Sequence, residues 1–150
     1  MREAFVTIAT GLMGIGKSYV SEQVIKAYAK ANPNRSILIF DPNFEDTWNT
    51  FPSVHFDILE IQRAKKQEKK TGTRIITDSE KNISKLPPGI RIIVPFTIYK
   101  ERMNTEQMQL TMITICNSFR NGLVMLEDVN KYTISFEMNG AKSESTLILR

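Results

Sequence analysis

The chain has 150 residues, of which 41% are hydrophobic and 24% are charged, and its net charge is +4. This length allows one domain with a hydrophobic core, and this composition argues against a disordered chain. The single cysteine and the single histidine exclude an internal disulfide and a zinc site made of those two residue types. We therefore expect a cytoplasmic protein without a membrane span.

The first part of the chain predicts a strand, a helix and a second strand. Residues 4–10 are apolar and β-branched, as strands are, and a glycine-rich stretch follows them. Residues 36–40, SILIF, form a continuous apolar run of the kind found in strands buried on both faces of a parallel sheet. Helical spacing between these strands predicts one buried helix face, made of Val20, Val24, Ala27, Tyr28 and Ala31.

The middle of the chain predicts four shorter elements. They are a helix over 58–69 capped by Asp57, a weak strand over 74–77, a helix over 79–85 and a strand over 90–99. Pro95 has no N–H to donate, so we expect the last of these to be an edge strand or to break there.

The last part predicts a helix, a strand and a hairpin. The helix opens at Asn104, and the buried strand over 123–126 is followed by two acidic residues. Asn139-Gly140 lies between two runs of strand-like sequence within 132–150, which predicts a C-terminal β-hairpin. Together the elements predict a single domain of the α/β class with a mostly parallel sheet.

Residues 11–18 read GLMGIGKS and satisfy the pattern G-x-x-x-x-G-K-[ST], between a predicted strand and a predicted helix. Glycines let successive backbone N–H groups point at phosphates, and the start of the helix adds its positive dipole end. Lys17 would lie between the β- and γ-phosphates of ATP, and the Ser18 hydroxyl would ligate Mg²⁺. The predicted nucleotide-binding residues are Gly11, Leu12, Met13, Gly14, Ile15, Gly16, Lys17, Ser18 and Tyr19.

Glu127 and Asp128 follow a buried strand, so we expect them beside the phosphate loop at the carboxyl edge of the sheet. One carboxylate would hold Mg²⁺ through water, and the other would orient or deprotonate the attacking water. Which acid has which role stays open, so the predicted catalytic residues are Lys17, Glu127 and Asp128. Asp41 is a third acid at a strand end and either lies beside the phosphates or caps its own turn.

The positive charge is concentrated in one segment. Residues 63–70, RAKKQEKK, hold five basic residues and one acidic residue, and Arg74 follows. Such a run is either a solvated helix end or a patch that attracts nucleic acid. Within the chain, Arg63–Arg74 is therefore the best candidate for contact with DNA.

The combination of GLMGIGKS, Asp41-Pro42 after the second strand and LVMLED resembles the additional-strand class of P-loop NTPases. Within that class it is similar to the FtsK/HerA-like superfamily, in the branch of Zot-like and viral DNA-packaging ATPases. The resemblance covers about residues 4–131 and implies a three-layer P-loop NTPase sandwich. It also implies hydrolysis of Mg-ATP coupled to DNA translocation, packaging or assembly in a homo-oligomeric ring, in the host cytoplasm if the source is viral.

The chain departs from that superfamily after the second acidic strand. Members continue with two more sheet strands, whereas 22 residues follow Asp128 here, so the resemblance implies a C-terminally truncated or divergent domain. Members also receive an arginine from a neighbouring subunit, for which Arg102 and Arg120 are the candidates.

Two other functions fit part of the pattern. The glycine-rich loop is also similar to that of shikimate and nucleoside-monophosphate kinases, in which Asp41 would hold the acceptor hydroxyl. An arginine-rich lid is missing from the sequence, which argues against a kinase. A nucleotide-dependent assembly protein that does not hydrolyse ATP is the third alternative.

Overall fold

The computed structural model describes residues 5–9 and 17–129. Its strands are β1 (Phe5–Ala9), β2 (Ser36–Phe40), β3 (Gly89–Ile93) and β4 (Gly122–Glu127). Its helices are α1 (Lys17–Ala31), α2 (Asp46–Asn49), α3 (Ile58–Thr71), α4 (Asp78–Ser84) and α5 (Thr105–Ser118). The predicted α/β class is confirmed.

The four strands form one sheet in the order β1-β4-β2-β3, and every described pair is parallel. β4 lies between β1 and β2, with Glu127 opposite Ala9 and Leu126 opposite Phe40. The carboxyl ends of these three strands therefore lie side by side at one edge of the sheet.

Helices cover both faces of the sheet, because apolar side chains of β4 alternate between two separate clusters. Leu123 and Met125 pack with Ile25 of α1 and Trp48 of α2. On the other face, the cluster joins residues of α3, α4 and α5 to Val124, Leu126 and Leu38. This alternation is the two-residue period of a strand that is buried on both sides.

Trp48, the one tryptophan of the chain, is among the most buried side chains. It is 1% exposed and stacks on Phe51, with 6.5 Å between the ring centroids. It belongs to α2, a single turn of helix inside the segment between β2 and α3. This short helix seals the end of the α1 side of the core.

Side-chain caps determine where the helices of the second face begin. The Asp57 carboxylate accepts hydrogen bonds from the backbone N–H of Leu59 (3.0 Å) and Glu60 (3.2 Å), as predicted for the start of α3. Thr77 and Asn104 begin α4 and α5 with reciprocal capping boxes. The charged half of α3 stays helical through Thr71. Gly72 then caps the helix in a left-handed conformation, with a φ of 69°.

The predicted buried face of α1 is wrong. Val20 and Val24 are 60% and 42% exposed, whereas Ser21 and Ile25 are 4% and 1% exposed. Neighbouring residues of a helix point about 100° apart, so the true stripe is offset by one position from the predicted one. Ile25 belongs to the apolar cluster on this face of the sheet, together with Leu123 and Met125.

Two predicted strands also differ from the structure. Residues 74–77 form no strand, because the Ile75 N–H donates to Glu68 Oε1 (2.9 Å) and Thr77 caps α4. β3 ends at Ile93 rather than at residue 99, since Pro95 cannot continue the ladder. β3 is the edge strand on that side of the described sheet, as Pro95 predicted.

The predicted hairpin at 132–150 lies outside the described residues. Among the helices formed by the described ranges, none has the length and apolar character that crossing a membrane requires.

Replacing Gly122 with alanine should destabilise the sheet, because a Cβ there would lie 1.8 Å from the Ser36 carbonyl oxygen and 2.9 Å from Phe119 Cζ. We expect a loss of about 3 kcal/mol or more in the free energy of unfolding, measured with urea. Gly72→Ala is the matched control. Its φ is 69° but nothing lies within 4 Å of the added Cβ, so about 1 kcal/mol should be lost. Equal losses would contradict the close β2–β4 contact.

Candidate functional site

The loops that follow the strands gather polar residues at the carboxyl edge of the sheet. Residues 41–45 follow β2, residues 94–104 follow β3, and Asp128 follows β4. α1 begins at Lys17, eight positions after β1 ends at Ala9, so its N-terminus belongs to the same edge. In open parallel sheets, ligands bind at this edge.

Glu127 is the last residue of β4 and is 2% exposed. It continues the set of Leu123 and Met125, which face α1, because side chains alternate along a strand. The α1 face of this edge therefore brings Glu127 to the side on which Lys17 and Ser18 begin α1. Glu127 lies opposite Ala9, the last residue of β1, so the acidic end of β4 lies beside the end of the strand that precedes GLMGIGKS.

Asp41 caps the turn that follows β2. Its Oδ1 accepts from the Asn43 N–H at 2.9 Å and its Oδ2 accepts from the Glu45 N–H at 2.8 Å. The side chain is 5% exposed. Burial raises the pKa of Asp41, the two backbone hydrogen bonds oppose that rise, and the charges of Glu45 and Asp128 add to it. Of the two roles left open by the sequence, turn capping is the one that these contacts describe.

Asn43 joins this turn to the second acidic strand, since its Nδ2 donates to Asp128 Oδ2. Both neighbouring backbones are left-handed, with φ of 51° at Phe44 and 46° at Asp128. Such conformations cost about 1–3 kcal/mol for a non-glycine residue, least for Asp and more for a bulky ring, and they cluster at functional sites. The contact therefore holds Asp128 in a conformation that an unrestrained chain would leave.

Arg102 lies against the same turn from the loop after β3. Its guanidinium donates to the Pro42 carbonyl and lies 5.7 Å from the centre of the Phe96 ring. Phe96 in turn packs edge-on against Phe44, at 5.4 Å between centroids. Arg102 is thus part of the carboxyl edge of its own chain.

Arg120, the other arginine singled out by the sequence, precedes β4 and so lies at the amino edge of the sheet. Its guanidinium donates to the carbonyls of Asn117 (2.9 Å) and Phe119 (2.8 Å). The described fold brings Arg102, and not Arg120, to the acidic residues.

The residues of the predicted phosphate loop divide into two groups. Gly11, Leu12, Met13, Gly14, Ile15 and Gly16 lie outside the described residues. Lys17 and Ser18 form the first turn of α1, and the Tyr19 side chain is 67% exposed.

The described residues form no group of three or more His, Cys, Asp or Glu side chains with the spacing of a metal site. Carboxylate oxygens are among the ligands that Mg²⁺ prefers in proteins. At the carboxyl edge, Glu127 and Asp128 offer such oxygens.

Cys116 offers no alternative nucleophile. Burial raises the pKa of its thiol to about 11, so the thiolate is scarce at neutral pH.

Sequence reasoning missed two features of this edge. They are the contact of Asn43 with Asp128 and the place of Arg102 against the turn after β2 of its own chain. Asn43 had a visible signal, because Asp-Pro-Asn directly after a buried strand is a turn at the carboxyl edge. No sequence signal indicated the place of Arg102. β3 ends before Pro95, and the loop that follows brings Arg102 to the turn after β2.

Asp41→Asn should change the pH dependence of stability. The pKa of Asp41 is higher in the folded state than the ordinary carboxylate value of about 4. Its contribution to the free energy of unfolding is therefore present at low pH and is lost as the pH rises from about 4 through the raised pKa. Urea unfolding at a series of pH values should therefore show the stability of the variant relative to wild type increasing with pH.

Glu68→Gln is the control of opposite sign. The Ile75 N–H lowers the pKa of Glu68, so its contribution is lost as pH falls. The relative stability of Glu68→Gln should therefore decrease with rising pH. The same trend in both variants would contradict the burial of an ionisable Asp41.

No protein-family model matches the chain, no curated protein is significantly similar to it, and no solved structure matches it.

Proposed function

We propose that the protein is a P-loop ATPase of the additional-strand class that binds Mg-ATP at the carboxyl edge of the sheet. The observation that carries this proposal is the start of α1 at Lys17, within GLMGIGKS, next to the aligned ends of β1 and β4. A phosphate motif supports nucleotide binding when it joins a strand to a helix beside an acidic strand end. The finer proposal of a three-layer P-loop sandwich rests on the same observation.

The triphosphate would be held by the N-terminus of α1 and by the residues before it. The helix has 15 residues, and its first turn contains no acidic residue, so nothing in that turn opposes the attraction of its dipole for phosphate. Lys17 adds a full positive charge at this point. Binding would therefore combine backbone N–H groups, the helix dipole and one ammonium group.

We assign the magnesium side of the site to Ser18 and Glu127, because Glu127 shares the face of the sheet with α1. A bound Mg²⁺ would neutralise charge on the β- and γ-phosphates. Asp128 would then orient or deprotonate the attacking water. We propose this division because Asp128 lies past the strand end and is half-buried.

Asn43 and Arg102 are positioning residues in this proposal. Asn43 donates to Asp128 and holds its carboxylate in place, while Arg102 donates to the Pro42 carbonyl and so stiffens the same turn. A proton acceptor held in one rotamer loses less entropy when it aligns water for attack.

We propose that hydrolysis is coupled to DNA in a homo-oligomeric assembly, with α3 as the contact. The exposed residues of its C-terminal half include Lys65, Lys66, Lys69 and Lys70. Lys65 is paired with Glu68 at 3.6 Å, and such exposed pairs are weak. This helix therefore presents a nearly uncompensated positive surface.

Lys17→Ala should abolish the thermal stabilisation of the protein by Mg-ATP. A ligand at 100 times its Kd stabilises by about 2.7 kcal/mol, which a melting experiment resolves. Lys26→Ala is the matched control on the same helix, because Lys26 is exposed and paired with Glu22 at 2.8 Å. A full ATP-dependent shift in Lys17→Ala would refute the phosphate site.

Asp128→Asn should lower kcat for phosphate release by about 100-fold or more while ATP binding persists, because it removes the proposed proton acceptor. Asn43→Ala should lower kcat less, since the acceptor is displaced but present. Asn49→Ala, which loses only a hydrogen bond to Asp46 at 2.9 Å, should leave kcat unchanged.

The same assay with and without duplex DNA tests the coupling. DNA should raise phosphate release by wild type and have no effect on Asp128→Asn. Transfer of phosphate to a small acceptor would indicate a kinase, and ATP binding without turnover under any condition would indicate an assembly protein.

A further inference from the structure

A cleft remote from the carboxyl edge is lined by basic side chains. It has a volume of about 440 Å³ and lies between α4, residues 53–55 and the loop of residues 85–88 that leads into β3. Its polar lining includes His55, Lys81, Asn82, Lys85 and Arg91. No carboxylate is among the described side chains that line it, so its lining is positively charged at neutral pH.

The wall formed by residues 85–88 is fixed by hydrogen bonds. Ser36 Oγ donates to the carbonyls of Leu86 (2.8 Å) and Pro87 (3.0 Å). Arg91 Nη1 donates to the carbonyls of Pro87 (2.8 Å) and Pro88 (3.2 Å). The hydrogen bonds from Ser36 and Arg91 satisfy the carbonyl oxygens at the rim, and they hold the Arg91 guanidinium in place. The other N–H groups of this guanidinium can donate to an anion.

Most of the charge in this cleft is not compensated. Lys85 and Arg91 form no ion pair with any described residue. Lys81 pairs with Asp78 at 4.0 Å, and both side chains are more than half exposed, so this contact contributes little. An anion entering the cleft would therefore meet three cations without displacing a strong internal partner.

The cleft is separate from the proposed nucleotide site, because the loop of residues 85–88 precedes β3 whereas that site follows the strands. Its lysines have no part in the core, since both are exposed. We infer that the cleft binds a phosphate group, which a lysine–arginine lining recognises through charge and the fixed donors of Arg91. This inference does not depend on nucleotide binding.

The phosphate can come from a small free anion or from a nucleic-acid strand, and the surroundings favour the strand. α4 has seven residues and is about 10 Å long. Arg74, which follows the basic run of α3, lies 3.8 Å from Glu80 of α4, and its side chain is 71% exposed. Cations of the cleft and of the end of α3 thus both lie near α4, which suits a chain of phosphates better than a single ion.

The test compares the double variant Lys81→Ala/Lys85→Ala with wild type and with Lys26→Ala/Lys30→Ala. The control removes the same charge from α1, which packs on the opposite face of the sheet. A fluorescent single-stranded oligonucleotide and inorganic pyrophosphate are the two probes. Binding is measured in a Lys17→Ala background without Mg²⁺, so that the proposed nucleotide site does not contribute.

We expect the cleft variant to bind the oligonucleotide at least tenfold more weakly at about 50 mM salt. Its slope of log affinity against log salt should be about 1.4 smaller, for two lost contacts to a single strand, while the control keeps the wild-type slope. Pyrophosphate binding that the cleft variant loses, without oligonucleotide binding, would support a site for a free anion.

Two outcomes would overturn the inference. The two double variants lose affinity equally, or the chain with an intact cleft binds neither probe at low salt. Melting temperatures of both double variants should match wild type, because all four lysines are exposed.

Discussion

The parallel pairing of β4 between β1 and β2 is the constraint on which the rest of this molecule depends. It aligns Glu127 with Ala9, and it brings the turn after β2 beside Asp128. The pairing requires a backbone contact at Gly122 that no side chain permits. Core packing at the amino end of β4 and acidic chemistry at its carboxyl end are therefore coupled through one six-residue strand.

The two faces of the sheet contribute differently to the site. The α1 face supplies Glu127 and the start of the helix, whereas the loops after β2 and β3 supply Asn43 and Arg102. Each of these parts is short and contributes one or two polar groups. Their convergence follows from strand direction alone, because parallel strands place all their carboxyl ends together.

Local signals predicted the elements whose sequences are self-sufficient. Asp57 and Asn104 cap backbone N–H groups within one helical turn, so the starts of α3 and α5 were predictable. SILIF and LVML are continuous apolar runs that are stable only when they are buried, so β2 and β4 were predictable. The face of α1 was not, because Ser21 is buried although it is polar, whereas Val20 and Val24 are exposed although they are apolar. The strand predicted over residues 74–77 does not form, since the side chain of Glu68 takes the Ile75 N–H that a strand would use. The contact of Asn43 with Asp128 joins residues 85 positions apart, and no local pattern predicts such a pair.

The place of Trp48 has an optical consequence. The indole is 1% exposed and lies a few residues after the turn that carries Asp41 and Asn43. Its fluorescence therefore reports on a single environment, the apolar cluster that includes Ile25, Ile37 and Met125. A rearrangement of that turn would alter the polarity around the ring, so the protein contains an intrinsic emission probe of its acidic edge.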